Sequence, residues 1–151
     1  AANTIVKEAL EARKIALFET YETVRAEVKY GTNSRVDFLL TEQGQKDTYL
    51  EVKSVTLVRQ EGVAEFPDSV TARGLKHLHE LARVVEMGHR GTLLFLIQRN
   101  DCHVCDIARD IDPAYAKGVE DAVSRGVEIL CMASHLSRDG IDIDKPVPFG
   151  L

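Results

Sequence analysis

The feature that most limits what this chain can fold into is the run YLEVKSV at residues 49–55. Its hydrophobic residues favour a buried β-strand, yet Glu51 and Lys53 place two opposite charges inside it. Because alternate side chains of a strand project to the same face, both charges point one way while Leu50 and Val52 point the other. The run is therefore either an ion pair on a solvent-facing sheet or a metal-and-base pair at the bottom of an active site.

The surrounding sequence alternates between helical and strand patterns, in the order α-β-β-β-α-β-α-β. This order predicts an α/β fold with a mixed central sheet flanked by helices, whose first three strands form an antiparallel meander. The predicted helices cover residues 3–18, 69–87 and 112–126, and the predicted strands cover 24–30, 35–40, 49–55, 92–98 and 127–133.

Length and composition indicate one ordinary globular domain. A chain of 151 residues can bury a substantial core, and no apolar run approaches the roughly 18 residues of a membrane span. The three cysteines are an odd number, which favours a reducing cytoplasmic location over a disulfide framework. The net charge of −5 excludes a generally basic surface, so binding to DNA would require a local patch.

Asp37 lies in the predicted strand that precedes Glu51. In the right register the two carboxylates are neighbours, and they repel each other unless a divalent cation lies between them. Asp37, Glu51 and the Val52 carbonyl supply the oxygen ligands that Mg²⁺ prefers, and Lys53 would then orient or deprotonate an attacking water. The same strand is expected to direct three residues to its core face: Val36, Phe38 and Leu40.

Four segments, EVKYGTNSRVDFLL, YLEVKSVTLV, FPDSVTARGLKHLHEL and GVEIL, together resemble the sugar fermentation stimulation protein family. The D…ExK pattern within them is similar to that of PD-(D/E)xK nucleases, and the resemblance covers essentially all 151 residues. It implies a PD-(D/E)xK nuclease-like fold, DNA as the partner, Mg²⁺ or Mn²⁺ as the cofactor and a role in regulating sugar metabolism. Because that family also has an N-terminal OB-like domain, residues 1–151 are expected to be the nuclease-like domain alone.

The resemblance also implies roles for individual residues. Asp37 and Glu51 correspond to the family's metal acids, and Lys53 corresponds to its lysine. The first helix of such nucleases often supplies another acid that faces the site, for which Glu8 is the candidate here. A solvated helix carboxylate is the alternative for Glu8.

The predicted helix at 69–87 has a polar side that suggests phosphate contact. Arg73, Lys76 and His77 lie there, together with Glu80, opposite an apolar stripe. The resemblance favours contact with the DNA backbone over an ordinary solvated face. Gly74, which is unfavourable inside a helix, indicates close packing at that point.

Two alternatives to a nuclease remain open. The same fold could serve as a catalytically silent DNA-binding regulator of sugar metabolism, because an intact set of acids does not guarantee cleavage. A zinc-stabilised interaction domain is the second alternative, in which the ligands would be Cys102, Cys105, Cys131 and His135. The run of apolar residues around Cys131 argues for a buried thiol instead.

Overall fold

The computed structural model describes residues 2–138 and 140–150. No helix among them is long and apolar enough to cross a membrane. The helices are α1 (Ala2–Glu11), α2 (Ala72–Glu86) and α3 (Pro113–Ser124), with a 3₁₀ turn at Ala16–Phe18. The strands are β1 (Thr23–Tyr30), β2 (Ser34–Thr41), β3 (Thr48–Val55), β4 (Leu57–Gln60), β5 (Val63–Phe66), β6 (Arg90–Ile97), β7 (Val104–Ile107), β8 (Glu128–Ser137), β9 (Gly140–Pro146) and β10 (Phe149–Gly150).

The strands form two sheets. The larger one has the order β1-β2-β3-β6-β8-β9, and its first three strands are the predicted antiparallel meander. β3, β6 and β8 are parallel to one another, and β9 returns antiparallel to β8, so this sheet is mixed. A smaller sheet has the order β10-β7-β5-β4. The predicted fold class, a mixed α/β sheet flanked by helices, is confirmed.

The larger sheet separates two cores. On one face α1 packs on apolar residues of β2, β3, β6 and β8, including Leu50 and Val52. On the other face α2, α3 and the smaller sheet pack on Phe95, Ile97 and Cys131. The α/β layering therefore covers β3 on both sides, and the charged pair Glu51 and Lys53 cannot face open solvent.

The structure corrects the boundaries of two predicted helices and adds strands that were not predicted. The first helix ends at Glu11 rather than continuing to residue 18, because Arg13 adopts a left-handed φ of 56° that breaks the helical path. The second helix begins at Ala72 rather than residue 69, where the Thr71 side chain accepts a hydrogen bond from Gly74 N–H at 2.9 Å. Five strands were missed: β4, β5, β7, β9 and β10.

Gly74 lies at a close approach of two helices, as its position in the sequence indicates. A Cβ at residue 74 would lie 3.1 Å from the ring of Tyr115 on α3. The absence of a side chain thus lets α2 approach α3 and, through it, fixes α2 over the sheet.

The prediction that Val36 shares a face with Phe38 and Leu40 is wrong. Val36 packs with Leu39 beneath α2, whereas Phe38 and Leu40 pack beneath α1. Glu27 of β1 lies opposite Asp37, between the pairs Ala26↔Phe38 and Val28↔Val36. Its φ of 53° interrupts the strict alternation of side chains between the two faces of the sheet. The irregularity falls where Asp37 leaves the regular sheet.

Candidate metal and nucleic-acid site

Asp37 lies where β2 separates from β3. The two strands pair up to Phe38↔Leu50, and beyond that point Asp37 Oδ2 accepts the Val52 N–H at 2.8 Å in place of a main-chain oxygen. Asn3 of α1 donates to Asp37 Oδ1 at 2.9 Å. Because the N–H and C=O of a strand residue point to the same side, the Val52 carbonyl faces the same gap. The gap thus presents a carboxylate and a main-chain oxygen together.

Glu51 brings a second carboxylate to this gap. Its side chain is only 4% exposed, and its carboxyl group is near enough to that of Asp37 for each to shift the pKa of the other. Glu51 Oε2 is buried and has no hydrogen-bond partner in the described structure. A buried carboxylate oxygen without a partner is costly, and a cation between the two carboxyl groups would satisfy it.

The two carboxyl groups differ in their acidity. Burial and the neighbouring charge of Glu51 raise the pKa of Asp37, although the Val52 N–H and Asn3 partly oppose the shift. Burial also pushes the pKa of Glu51 upward, but the contact with His77 and the charge of Lys53 outweigh it, so that pKa is lowered. Without a cation, Glu51 therefore carries the negative charge and Asp37 is the group that holds a proton most readily.

Lys53 and His77 complete the charged cluster beside Glu51. Lys53 Nζ lies 3.4 Å from Glu51 Oε1 and 2.9 Å from His77 Nδ1, and that nitrogen is 3.1 Å from the same Glu51 oxygen. An ammonium has three protons to donate and an imidazole nitrogen can accept one of them. Lys53 thus links a carboxylate on its own strand to a histidine on α2.

Two buried hydroxyl groups lie near Glu51. The Tyr30 and Tyr115 hydroxyls have no hydrogen-bond partner among the residues described, and burial followed by the charge of Glu51 raises the pKa of each.

The structure brings three of the predicted site residues together: Asp37, Glu51 and Lys53. Glu8 does not join them, because it is exposed and lines a groove between α1 and β9 with Ile141 and Ile143. The residue of α1 that contacts Asp37 is Asn3, which the sequence did not single out for this role. The described residues contain no group of three His, Cys, Asp or Glu side chains arranged to hold a metal ion, so an ion would take Asp37, Glu51, a main-chain oxygen and waters.

The predicted nucleic-acid row on α2 is only partly exposed. Arg73 and Lys76 face solvent, whereas His77 is buried and contacts Lys53 and Glu51. Glu80 is buried as well, and its Oε1 accepts the Thr32 N–H at 3.3 Å. The sequence contains a signal for the burial of His77 and Glu80, because residues 77, 80, 81 and 84 have the spacing of one helix face and two of them are apolar.

The cysteines do not form the predicted zinc group. Cys102, Cys105 and Cys131 are buried free thiols, and the hydrogen bond with Cys105, together with burial, raises the pKa of Cys131. His135 is an exposed residue of β8, away from that core. The thiols belong to the apolar packing between the two sheets, which is the common role of buried cysteine.

The fold has a close counterpart among solved structures. It matches the structure of Pyrococcus furiosus SfsA in complex with Ca²⁺ with a TM-score of 0.87, at 24% sequence identity, over 97% of this chain and 62% of that one. At this identity the likeness establishes the fold alone, which is a mixed α/β fold.

Sequence comparisons identify the family. The profile of the "Sugar fermentation stimulation protein RE domain" matches residues 1–140. Sugar fermentation stimulation protein homologs from Roseobacter denitrificans and Ruegeria pomeroyi are 54% and 57% identical over 99% and 93% of the chain. The chain belongs to the sugar fermentation stimulation protein family. It spans 63% and 61% of the length of these two relatives.

Proposed function

We propose that this chain is a divalent-metal-dependent nuclease domain that hydrolyses DNA phosphodiesters. The observation that carries the proposal is the pair Asp37 and Glu51, with one buried Glu51 oxygen unpartnered and the ammonium of Lys53 beside it. Two adjacent carboxylates with no cation oppose folding, so their presence calls for a function that uses them. The Ca²⁺ complex of the Pyrococcus furiosus protein supports a hard divalent ion in this fold.

The residues divide the work as follows. Asp37, Glu51 and the Val52 carbonyl would hold Mg²⁺ or Mn²⁺, which supplies stabilisation of negative charge on the phosphate and a more acidic bound water. The Asn3 amide and the Val52 N–H hold the Asp37 carboxylate in place. Lys53 donates a hydrogen bond to the attacking water and fixes its position. Arg73 and Lys76 contact the DNA backbone from the exposed side of α2.

Metal binding tests the first half of the proposal. Calorimetric titration with Mn²⁺ should show one site in the wild-type protein and none in Glu51→Gln. The matched control is Glu61→Gln, which makes the same change at an exposed position and should bind as the wild type does. Equal binding by all three proteins would place the ion elsewhere and contradict the proposal.

Cleavage tests the second half. Plasmid and single-stranded DNA are incubated with Mn²⁺ and with the wild type, Glu51→Gln or Lys53→Ala, all purified in parallel. Cutting by the wild type that is lost in both variants supports the nuclease. Metal and DNA binding without any cutting would indicate the silent DNA-binding regulator instead.

A further inference from the structure

We infer that His77 is a positioning residue that aims the Lys53 ammonium at the substrate side of the metal site. The inference rests on the proposed nuclease function and adds a residue of α2 to a site otherwise built from β2 and β3. His77 Nδ1 is 2.9 Å from Lys53 Nζ, within hydrogen-bond distance and shorter than the 3.4 Å between Nζ and Glu51 Oε1.

The proton arrangement follows from what each group can donate. Lys53 as an ammonium has no acceptor capacity, so the Nδ1 atom facing it must accept. The imidazole proton then resides on Nε2, and the 3.1 Å approach of Nδ1 to Glu51 Oε1 is an approach of two acceptors joined by the same ammonium. The opposite tautomer would place an N–H against an ammonium at 2.9 Å, which is repulsive.

This arrangement leaves one donor available. One ammonium proton is directed to His77, and the ammonium forms an ion pair with Glu51 at 3.4 Å, so an N–H remains for a water or a phosphate oxygen. A lysine has a flexible four-carbon stem, so one contact would not fix the direction of its ammonium. The hydrogen bond to His77 and the ion pair with Glu51 together fix it.

His77 is itself held firmly. It is 7% exposed, and α2 is fixed over the sheet by its packing on α3 through Gly74. His77 and Glu80 lie one turn apart on the buried side of α2, and Glu80 in turn binds the β1–β2 turn through Thr32. The position of the Lys53 ammonium therefore depends on the second layer of the fold and not on β3 alone.

Nuclear magnetic resonance of lysine ammonium groups tests the contact without any need for activity. A lysine ammonium gives a sharp ¹H–¹⁵N signal when hydrogen bonds slow its exchange with water. We expect one such signal in the metal-free wild type, assigned to Lys53 by its loss in Lys53→Met. It should disappear in His77→Leu and persist in His79→Leu, the control at an exposed histidine of the same helix.

His77→Gln offers a second variant that keeps an acceptor. Its side-chain oxygen should retain the Lys53 signal at a changed chemical shift, and it decides the question if His77→Leu does not fold. A signal that is absent in the wild type, persists in His77→Leu or is unshifted in His77→Gln would overturn the inference.

Kinetics connect the contact to the proposed function. With Mn²⁺ and DNA, His77→Leu should lower kcat by about tenfold to a hundredfold with KM unchanged, because a displaced donor affects the reaction step and not DNA binding. His77→Gln should recover part of the loss. The protein could instead show a protected Lys53 ammonium that depends on His77, yet neither bind Mn²⁺ nor cut DNA. That result would refute the nuclease proposal and leave the contact between Lys53 and His77 intact.

Discussion

Helices cover both faces of strand β3 at residues 50–53, but the two faces are chemically opposite. Leu50 and Val52 pack under α1 among apolar side chains, with exposures of 0% and 6%. Glu51, 3% exposed, and Lys53 lie on the other face under α2, where they meet His77. The Asp37 carboxyl group, held by Asn3 of α1, reaches Glu51 from the gap between β2 and β3. One strand thus contributes a stabilising surface to one core and an incompletely satisfied charged cluster to the other.

The difference shows what burial alone does not reveal. On the α1 face, burial removes apolar surface from water and stabilises the fold. On the α2 face, the same burial leaves Glu51 Oε2 without a hydrogen-bond partner among the described residues, and burial with the charge of Glu51 raises the pKa of the neighbouring Asp37. Groups that cost stability where apolar residues would fit are characteristic of functional sites. The two faces should therefore differ in how Mn²⁺ changes the stability of variants at each face.

Leu50→Ala should have the largest effect. Leu50 is fully buried, so its truncation should lower the free energy of unfolding by about 2–5 kcal/mol. Because the lost contacts are apolar, the difference from the wild type should be the same with and without Mn²⁺. Urea unfolding of both proteins in both conditions measures it, and a loss that Mn²⁺ repairs would mean that the two faces are not independent.

Lys53→Ala should have an intermediate and metal-dependent effect. The Lys53 side chain is 17% exposed and faces Glu51, so its removal should lower the free energy of unfolding by about 1–3 kcal/mol without metal. Mn²⁺ should restore much of this loss, since it binds only the folded state and replaces the missing positive charge. A surface ion pair would lose less than about 1 kcal/mol.

Four thermal melts measure this effect, using wild type and Lys53→Ala, each with and without Mn²⁺. Lys117→Ala on the exposed side of α3 is the control and should melt like the wild type in both conditions. Melts that show no metal dependence in either protein would favour a simple ion pair, and the catalytic role of Lys53 would be withdrawn.

Asp37→Asn should stabilise the metal-free protein. The pKa of Asp37 is raised in the folded state, so its ionised form costs stability once the pH passes above its unfolded value of 3.8 and through its folded pKa. The Asp37→Asn variant has no carboxyl group to ionise, so it does not lose this stability. Without metal it should therefore be more stable at neutral pH by about 0.2–1 kcal/mol, the scale of cross-strand charge pairs.

The pH dependence of that gain is its check. Unfolding of wild type and Asp37→Asn without metal should give a difference that is small below pH 3.8, grows through the folded pKa and is then constant. Added Mn²⁺ should stabilise only the wild type and reverse the order of the two proteins at neutral pH. A variant that is less stable than the wild type without metal would show that Asp37 is fully compensated by Asn3 and the Val52 N–H.

The site's central elements could be predicted because short-range rules control them. Period-two alternation placed Glu51 and Lys53 on one face and Leu50 on the other, and the meander brought Asp37 beside Glu51. The same rule failed at Val36, which packs with Leu39 next to the point where Glu27 of β1 has a positive φ, a conformation that nothing in a glutamate announces.

The remaining differences depend on tertiary structure. The smaller sheet was missed because β4, β5 and β7 have four residues each, too few to show a periodicity. His77 was assigned to solvent because it is polar, yet its surroundings are set by α2 lying over Glu51 and Lys53. Likewise, the sequence does not show that Asn3 reaches Asp37 across 34 positions.

The smallest effect on stability, and the last test of the two-face comparison, is expected at Lys76. Lys76 is exposed on the α2 side, so Lys76→Ala should leave the melting temperature almost unchanged. Its effect should appear in DNA binding, which in a chain of net charge −5 must rely on a few local cations and should be weak and steeply salt-dependent. Losing one phosphate contact should reduce the slope of log affinity against log salt by about 1.

Lys14→Ala, on the α1 side, should leave that slope unchanged, and fluorescence anisotropy at several salt concentrations measures both. Equal slopes for Lys76→Ala and the wild type would remove α2 from the DNA interface, while equal losses for both variants would mean that DNA does not distinguish the two faces.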